Sequence, residues 1–245
     1  MARLVLICMK AAIIIPAYNE EKTVGSVVRR AKMYGTVIVV DDASHDKTAA
    51  IAKKSGAYVV HHKANRGLGA SLRTGFEAAL KRNFDAVVTI DADGQHNPDE
   101  IPKLLNKIHE GYDFVLGSRD LAHYPFIKRL GNFFLNLVTN FIAGTNIKDT
   151  ESGFRAFKKD ALRKFYLLAA RYEIAVEIIF EVGRHNLRYA TVAVESPRYR
   201  KGVGFWDGIY NLRYLLRRRK RNLRDYIEDF RFLMKNVARS MIAKF

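Results

Sequence analysis

The chain has 245 residues, of which 49% are apolar and 27% charged, enough material for one substantial core and little for two full domains. Its 42 Lys and Arg outweigh 25 Asp and Glu by +17, which excludes an acidic disordered chain and calls for an anionic partner: nucleic acid, lipid headgroups or a phosphorylated substrate. The single cysteine, Cys8, excludes a disulfide framework and a Cys-rich zinc site, so a reducing compartment is the default.

The apolar run from Leu4 to Met9 is cut by Lys10, falls far below the ~20 residues a spanning helix needs, and carries no small-residue cleavage site. Met9-Lys10 directly precedes the first clear strand, which makes Met9 an alternative start. Ala11 to Ile15 reads as a buried parallel strand stopped by Pro16. Val24, Val27, Val28 and Ala31 recur at helical spacing, and Val37 to Val40 is a second strand ending at Asp41-Asp42. A helix over 47–54, a strand over 58–60, a helix over 68–81, a strand over 86–90, a helix over 98–109 and a strand over 114–116 follow. Repeated βα units of this length predict a mostly parallel sheet with right-handed crossovers and helices on both faces. The stretch Phe133 to Ile142 is too short and too polar to span a membrane.

Parallel sheets place ligands beyond the carboxyl ends of their strands, and the polar groups of this sequence collect there. Asp91-Ala92-Asp93-Gly94-Gln95-His96 follows an apolar strand, so two carboxylates and an amide can converge on Mg²⁺ or Mn²⁺. An isolated pair of this kind is more often a solvated Asp-Gly turn; the strand before it reverses that preference. Asp41-Asp42-Ala43-Ser44 offers carboxylates to a nucleobase N–H or ribose hydroxyl, while Ser44 or Asp46 can cap the next helix. The segment Asn65 to Gly75 is neither a Walker loop nor a dinucleotide fingerprint, but it can form a tight turn into a helix with its amides and Arg66 facing phosphate. His61, His62 and His96 read as surface or loop histidines rather than ligands.

Together these blocks resemble the family 2 glycosyltransferases, which have the nucleotide-sugar-binding GT-A fold. The resemblance runs from Pro16-Ala17-Tyr18-Asn19-Glu20 through the blocks above, Gly117-Ser118-Arg119 and Asp149 to Arg155, and reaches Tyr199-Arg200-Lys201-Gly202. Gly117-Ser118-Arg119 and Ser152-Gly153-Phe154-Arg155 carry a finer similarity to dolichyl-phosphate mannose synthases and related polyprenyl-phosphate sugar transferases. The sequence departs from that pattern at Gly202-Val203-Gly204-Phe205, where a Ser-Lys pair often follows the late glycine.

The resemblance implies that Pro16, Ala17, Tyr18, Glu20, Asp42, Asp91 and Ala92 hold the nucleotide and that Asp91, Asp93 and Gln95 bind the metal. It places Arg119 and Arg129 on the acceptor phosphate and has Ser152 and Arg200 complete the donor and acceptor pocket. Asp93 and Arg119 are then the residues closest to the chemistry, and Asp149 has a structural role. The implied reaction is inverting transfer of a hexose, foremost mannose from GDP-mannose, to dolichyl or polyprenyl phosphate. A UDP-sugar donor, or a saccharide acceptor, is the alternative. A nucleic-acid-binding protein is the competing class; the basic cluster lacks a recognisable motif for it, and no nucleic acid partner is expected.

The expected architecture is a GT-A-type catalytic domain over 1–204 and a basic amphipathic helical segment over 205–245. In that segment Arg217-Arg218-Arg219-Lys220-Arg221 is followed by Ile227, Phe230, Met234, Val237, Met241 and Phe245 on one helical face. It is expected to meet an anionic membrane surface, the catalytic domain or a small membrane subunit, which puts the protein in the cytoplasm, peripheral at the cytoplasmic face.

Overall fold

A computed structural model describes residues 9–120, 124–195 and 214. The basic cluster, Arg200, Cys8 and the amphipathic tail lie outside them, as does the expected boundary near 204.

The βα alternation builds β1 (Ala11–Ala17), α1 (Val24–Ala31), β2 (Thr36–Asp41), α2 (Thr48–Lys54), β3 (Tyr58–His61), α3 (Leu68–Leu80) and β4 (Ala86–Thr89). A short 3-10 turn then leads into α4 (Ile101–His109) and β5 (Phe114–Arg119). The rest was not anticipated element by element: α5 (Phe126–Ala143), β6 (Arg155–Lys158), α6 (Lys159–Leu162), α7 (Ile174–Arg184) and β7 (Tyr189–Val194). Pro16 does not stop β1. It stays in register opposite Val40, and the strand runs on to Ala17.

The strands form one seven-stranded sheet in the order β3-β2-β1-β4-β6-β5-β7. All neighbours are parallel except β6, which is antiparallel to both β4 and β5. One face packs Ile13, Ile15, Val37 and Val39 against α1 and α4; the other packs Ile14, Phe114 and Phe157 against Leu72 and Phe76 of α3 and Ile178 of α7. The inner strands β1, β2 and β4 bury both faces, which is why these runs are continuously apolar rather than alternating, while the edge strands β3 and β7 stay partly exposed. Among the described residues no helix is long and apolar enough to cross a membrane.

This topology fixes the site. The parallel strands β1, β2 and β4 end side by side, and β6, entering from the opposite direction, delivers the loop before Arg155 to the same edge. Among the described residues, three of the four non-glycine positions with positive φ occupy loops at this edge: Asn19 (φ 55), Ala43 (φ 62) and Asp149 (φ 55). Such backbone is costly for L-residues and persists where surrounding bonds hold it.

Candidate active site

The loop after β1 is held by the loop after β2. Asn19 N–H donates to Ser44 Oγ (2.9 Å), Glu20 N–H to Thr48 Oγ1 (2.7 Å) and Glu21 N–H to Asp46 Oδ2 (3.2 Å), while His45 N–H donates back to Asn19 Oδ1 (2.9 Å). Asp46 also accepts the Thr48 N–H (2.9 Å). Ser44, Asp46 and Thr48 therefore clamp two loops together; the cap position of α2, expected at Ser44 or Asp46, is Lys47, whose side chain makes no capping bond. Tyr18 stays exposed over the edge, with its ring centroid 6.3 Å from that of His45.

The two aspartates ending β2 are both buried. Asp42 accepts the Arg66 and Gly67 amides at 2.9 and 2.7 Å and lies 2.6 Å from His62 Nδ1. The amides expected to face a phosphate at the start of α3 are thus taken by Asp42. His61 is exposed as expected, but the side chains of His62 and His96 are buried, because packing against α3 and Phe154 encloses them.

Beyond β4, Asp93 accepts the Gln95 N–H (2.9 Å) and the Gln95 side-chain amide. Ala92 is buried between the two aspartates. Burial raises the pKa of Asp91, against the lowering charges of Arg155 and Arg119. Burial also raises Glu20, the Thr23 hydroxyl opposes it, and the charges of Asp93, Asp46 and Asp91 add to the rise. Glu20, Asp91 and Asp93 therefore form one negative pole built from the ends of β1 and β4. Gly153 abuts it: a Cβ there would lie 2.5 Å from Asp91 Oδ2, so glycine lets the β6 loop reach this carboxylate.

Opposite this pole sits an ion pair whose carboxylate is buried and whose guanidinium is 19% exposed. Asp149 accepts from Arg119 three times: backbone N–H (3.0 Å), Nε (2.8 Å) and Nη2 (2.8 Å). Burial works against the Arg119 charge, but the bonds and charge of Asp149 outweigh it and raise its pKa. Arg155 is fully buried, and burial lowers its pKa to about 10 while Glu151, Asp91 and Asp149 hold it up. It is a cation beneath the site that the sequence offers only as part of a motif; its one signal is an Arg set among the apolar residues Phe154, Ala156 and Phe157. His96 is neutral: burial lowers its pKa to about 4, Arg119 lowers it further, and Asp93 opposes.

Ser152, implied for the donor and acceptor pocket, lies beneath the surface in the loop before β6. It is fully buried, and its hydroxyl accepts the Phe154 N–H (3.3 Å) within its own turn. Arg129 is exposed on the first turn of α5. The inner side of that helix holds the loop carrying Asp149: Asn136 Oδ1 accepts from Thr150 N–H (2.8 Å) and Oγ1 (2.6 Å). Its outer side exposes Leu130, Phe133, Phe134, Leu137 and Phe141.

Among the described residues no three His, Cys, Asp or Glu side chains are arranged to hold a metal ion. The donor chemistry nevertheless fits a hard cation. Asp91 and Asp93 offer only oxygen, their charges and that of Glu20 repel one another, and Mg²⁺ needs one or two carboxylates beside water and phosphate oxygens.

Residues 12–166 match the family model described as glycosyl transferase family 2. The UDP-N-acetylglucosamine--dolichyl-phosphate N-acetylglucosaminyltransferase of Methanococcus voltae is 33% identical over 211 residues, covering 75% of this chain and 84% of that protein. The polyprenol monophosphomannose synthase of Mycolicibacterium smegmatis is 32% identical over 216 residues, covering 81% and 82%. In structure, the chain is similar to the glucosyl-3-phosphoglycerate synthase of Mycobacterium tuberculosis crystallised with Mg²⁺ and uridine diphosphate, with a TM-score of 0.71 at 22% identity over 87% of this chain and 82% of that one. That likeness shows the fold, and the family model and the relatives show the rest: the chain belongs to glycosyl transferase family 2.

Proposed function

We propose that this protein moves a hexose from a nucleoside-diphosphate sugar to a polyprenyl phosphate, inverting the anomeric centre, with mannose from GDP-mannose to dolichyl phosphate as the first pair to try. The observation that carries this reading is the pairing of a carboxylate pole (Glu20, Asp91, Asp93) with a buried cationic pole (Arg119, Arg155) across one strand edge. Asp91, Asp93 and Gln95 would hold Mg²⁺ or Mn²⁺, which when bound neutralises charge on the leaving diphosphate. Pro16 to Glu20 and Asp42 take the nucleotide.

The acceptor needs no strong base, because a phosphate monoester arrives ionised near neutral pH. Asp149 fits that requirement, since its oxygens are committed to Arg119. Asp149 takes Nε and one Nη2 hydrogen of Arg119, which leaves the Nη1 edge for the acceptor phosphate. The isoprenoid tail of such an acceptor stays in lipid, so the site has to meet the membrane surface. The exposed apolar side of α5 supports that contact: the helix has Lys128 and Arg129 near its start and no acidic residue, and its inner side ties directly to the Asp149 loop. Residues 217–245 are a second proposed contact.

A UDP-sugar donor is favoured by the Methanococcus voltae relative, whose name specifies one. Turnover of polyprenyl phosphate with GDP-mannose, UDP-glucose and UDP-N-acetylglucosamine, each with and without EDTA, decides between donors. A β-linked lipid-phosphate sugar is the expected product. Hydrolysis alone, or transfer only to saccharides, would overturn the acceptor.

A further inference from the structure

A carboxylate, an imidazole and a hydroxyl stand in a row behind the ends of β2 and β3. His62 Nδ1 lies 2.6 Å from Asp42 Oδ1, and its Nε2 lies 2.9 Å from Thr74 Oγ1 on α3. The side chains of Asp42 and His62 are 5% and 4% exposed. An ionised carboxylate only accepts, so Nδ1 carries the proton; in the neutral ring Nε2 then accepts from the Thr74 hydroxyl. Asp42 thus selects the tautomer, and the Thr74 hydroxyl holds the ring so that this donor stays aimed at Asp42.

The acceptor count of Asp42 shows what this achieves. A carboxylate offers about four lone-pair positions. Oδ1 takes His62 and the Arg66 amide, and Oδ2 takes the Gly67 amide. One position remains, on Oδ2. Rotation of the carboxylate would scramble which oxygen faces which partner, and among the described residues His62 is the one side chain donating to it.

We propose that His62 is a positioning residue for the donor nucleotide: through Asp42 it fixes the one remaining Oδ2 acceptor toward an N–H or O–H of the donor nucleoside. This rests on the nucleotide-sugar reading above and adds the group that sets its selectivity. The donor hydrogen comes either from the ring N–H of the base or from a ribose hydroxyl, and both chemistries are separable with nucleotides.

Calorimetry with UDP and GDP identifies the better ligand, and its ring-N-methylated and 2′-deoxy forms are then compared in the wild-type and variant proteins. The wild type should lose about tenfold or more in affinity with one of the two analogues, which names the hydrogen Asp42 receives. His62→Ala should bind the parent nucleotide about tenfold more weakly and no longer distinguish that analogue, with kcat at saturating donor within about twofold of wild type. His62→Asn, whose amide nitrogen takes the place of Nδ1, should restore the distinction. Should His62→Ala not fold, Thr74→Val removes the bond that holds the His62 ring and should weaken the same discrimination by a smaller factor. A purely structural role would lower affinity for parent and analogues alike. The proposal is overturned by that result, by an alanine variant that still discriminates, by an asparagine variant that does not, or by a wild type that binds the nucleotide yet distinguishes neither form. Binding of neither UDP nor GDP by the wild type would instead remove the donor reading itself.

Discussion

The two sides of the cleft are held by different kinds of bond. On the side of β1, β2 and β4, short loops are fixed by single contacts between side chains and backbone amides, such as Asn19 on Ser44, Glu20 on Thr48 and Glu21 on Asp46. On the side of β5 and β6, the loop before Arg155 is fixed by buried charge, with Asp149 accepting from Arg119 across 30 positions of sequence. Single side chain–amide contacts each contribute about 1 kcal/mol and fail singly; a buried ion pair adds little net stability, but leaving one partner alone is costly. The first side should therefore tolerate substitutions that the second does not.

Asp93→Asn tests the functional edge of the first side and should have the largest effect. The carboxylate is partly exposed at a strand end, where it adds little to the core. Transfer should fall at least about a hundredfold through lost charge stabilisation, while the melting temperature hardly moves. Steady-state turnover and thermal unfolding on the same preparation check both halves. An active variant would remove Asp93 from the metal set.

Asp149→Asn should do the opposite. It keeps the size and the positive-φ tolerance of the residue but strips the charge that Arg119 needs, costing about 3 kcal/mol of stability by urea unfolding. Adding Arg119→Met should recover part of that loss, because the stranded charge goes with it. If the single variant is as stable as wild type, the difference between the two sides disappears.

His96 sharpens the comparison with pH. Its pKa falls from 6.5 unfolded to about 4 folded, mainly through burial. Between those values the unfolded chain binds the proton and the folded one does not, so stability is full above 6.5 and drains as pH falls toward 4. The total is about 3 kcal/mol. His96→Gln should flatten the unfolding free energy across that window.

The sequence was legible where function is written in short runs. Strand ends carrying Asp41-Asp42 and Asp91 to Gln95 announce both the parallel sheet and its ligand edge, because a β-branched run followed at once by carboxylates has few other uses. The second side resisted reading because its partners meet only after folding. The reversal of β6 brings Asp149 to Arg119, and nothing local to Asp149 signals it. Arg155 shows the same limit, since a buried Arg in a strand is visible only as an exception to the apolar pattern. Burial of His62 was illegible for the related reason that Thr74, its second partner, lies a helix away.

Gly153→Ala is the smallest change and joins the two sides, since this glycine on the β6 loop touches the carboxylate at the end of β4. A Cβ at this position would lie 2.5 and 2.6 Å from the Asp91 oxygens, too close for any contact, so something must move. The Gly153 backbone cannot readily retreat, because its carbonyl accepts the Thr89 hydroxyl at 2.8 Å and the next residue, Phe154, is fully buried. The Asp91 carboxylate is the free end of a short side chain and can rotate away. Stability should therefore change by less than about 1 kcal/mol, whereas a displaced metal ligand should cost about tenfold in turnover. Titration of Mg²⁺ or Mn²⁺ in the assay separates the causes: a raised metal requirement with normal unfolding is the expected result. A variant with wild-type metal dependence would show that Asp91 keeps its place, and that the two sides of the cleft meet less tightly than this contact implies.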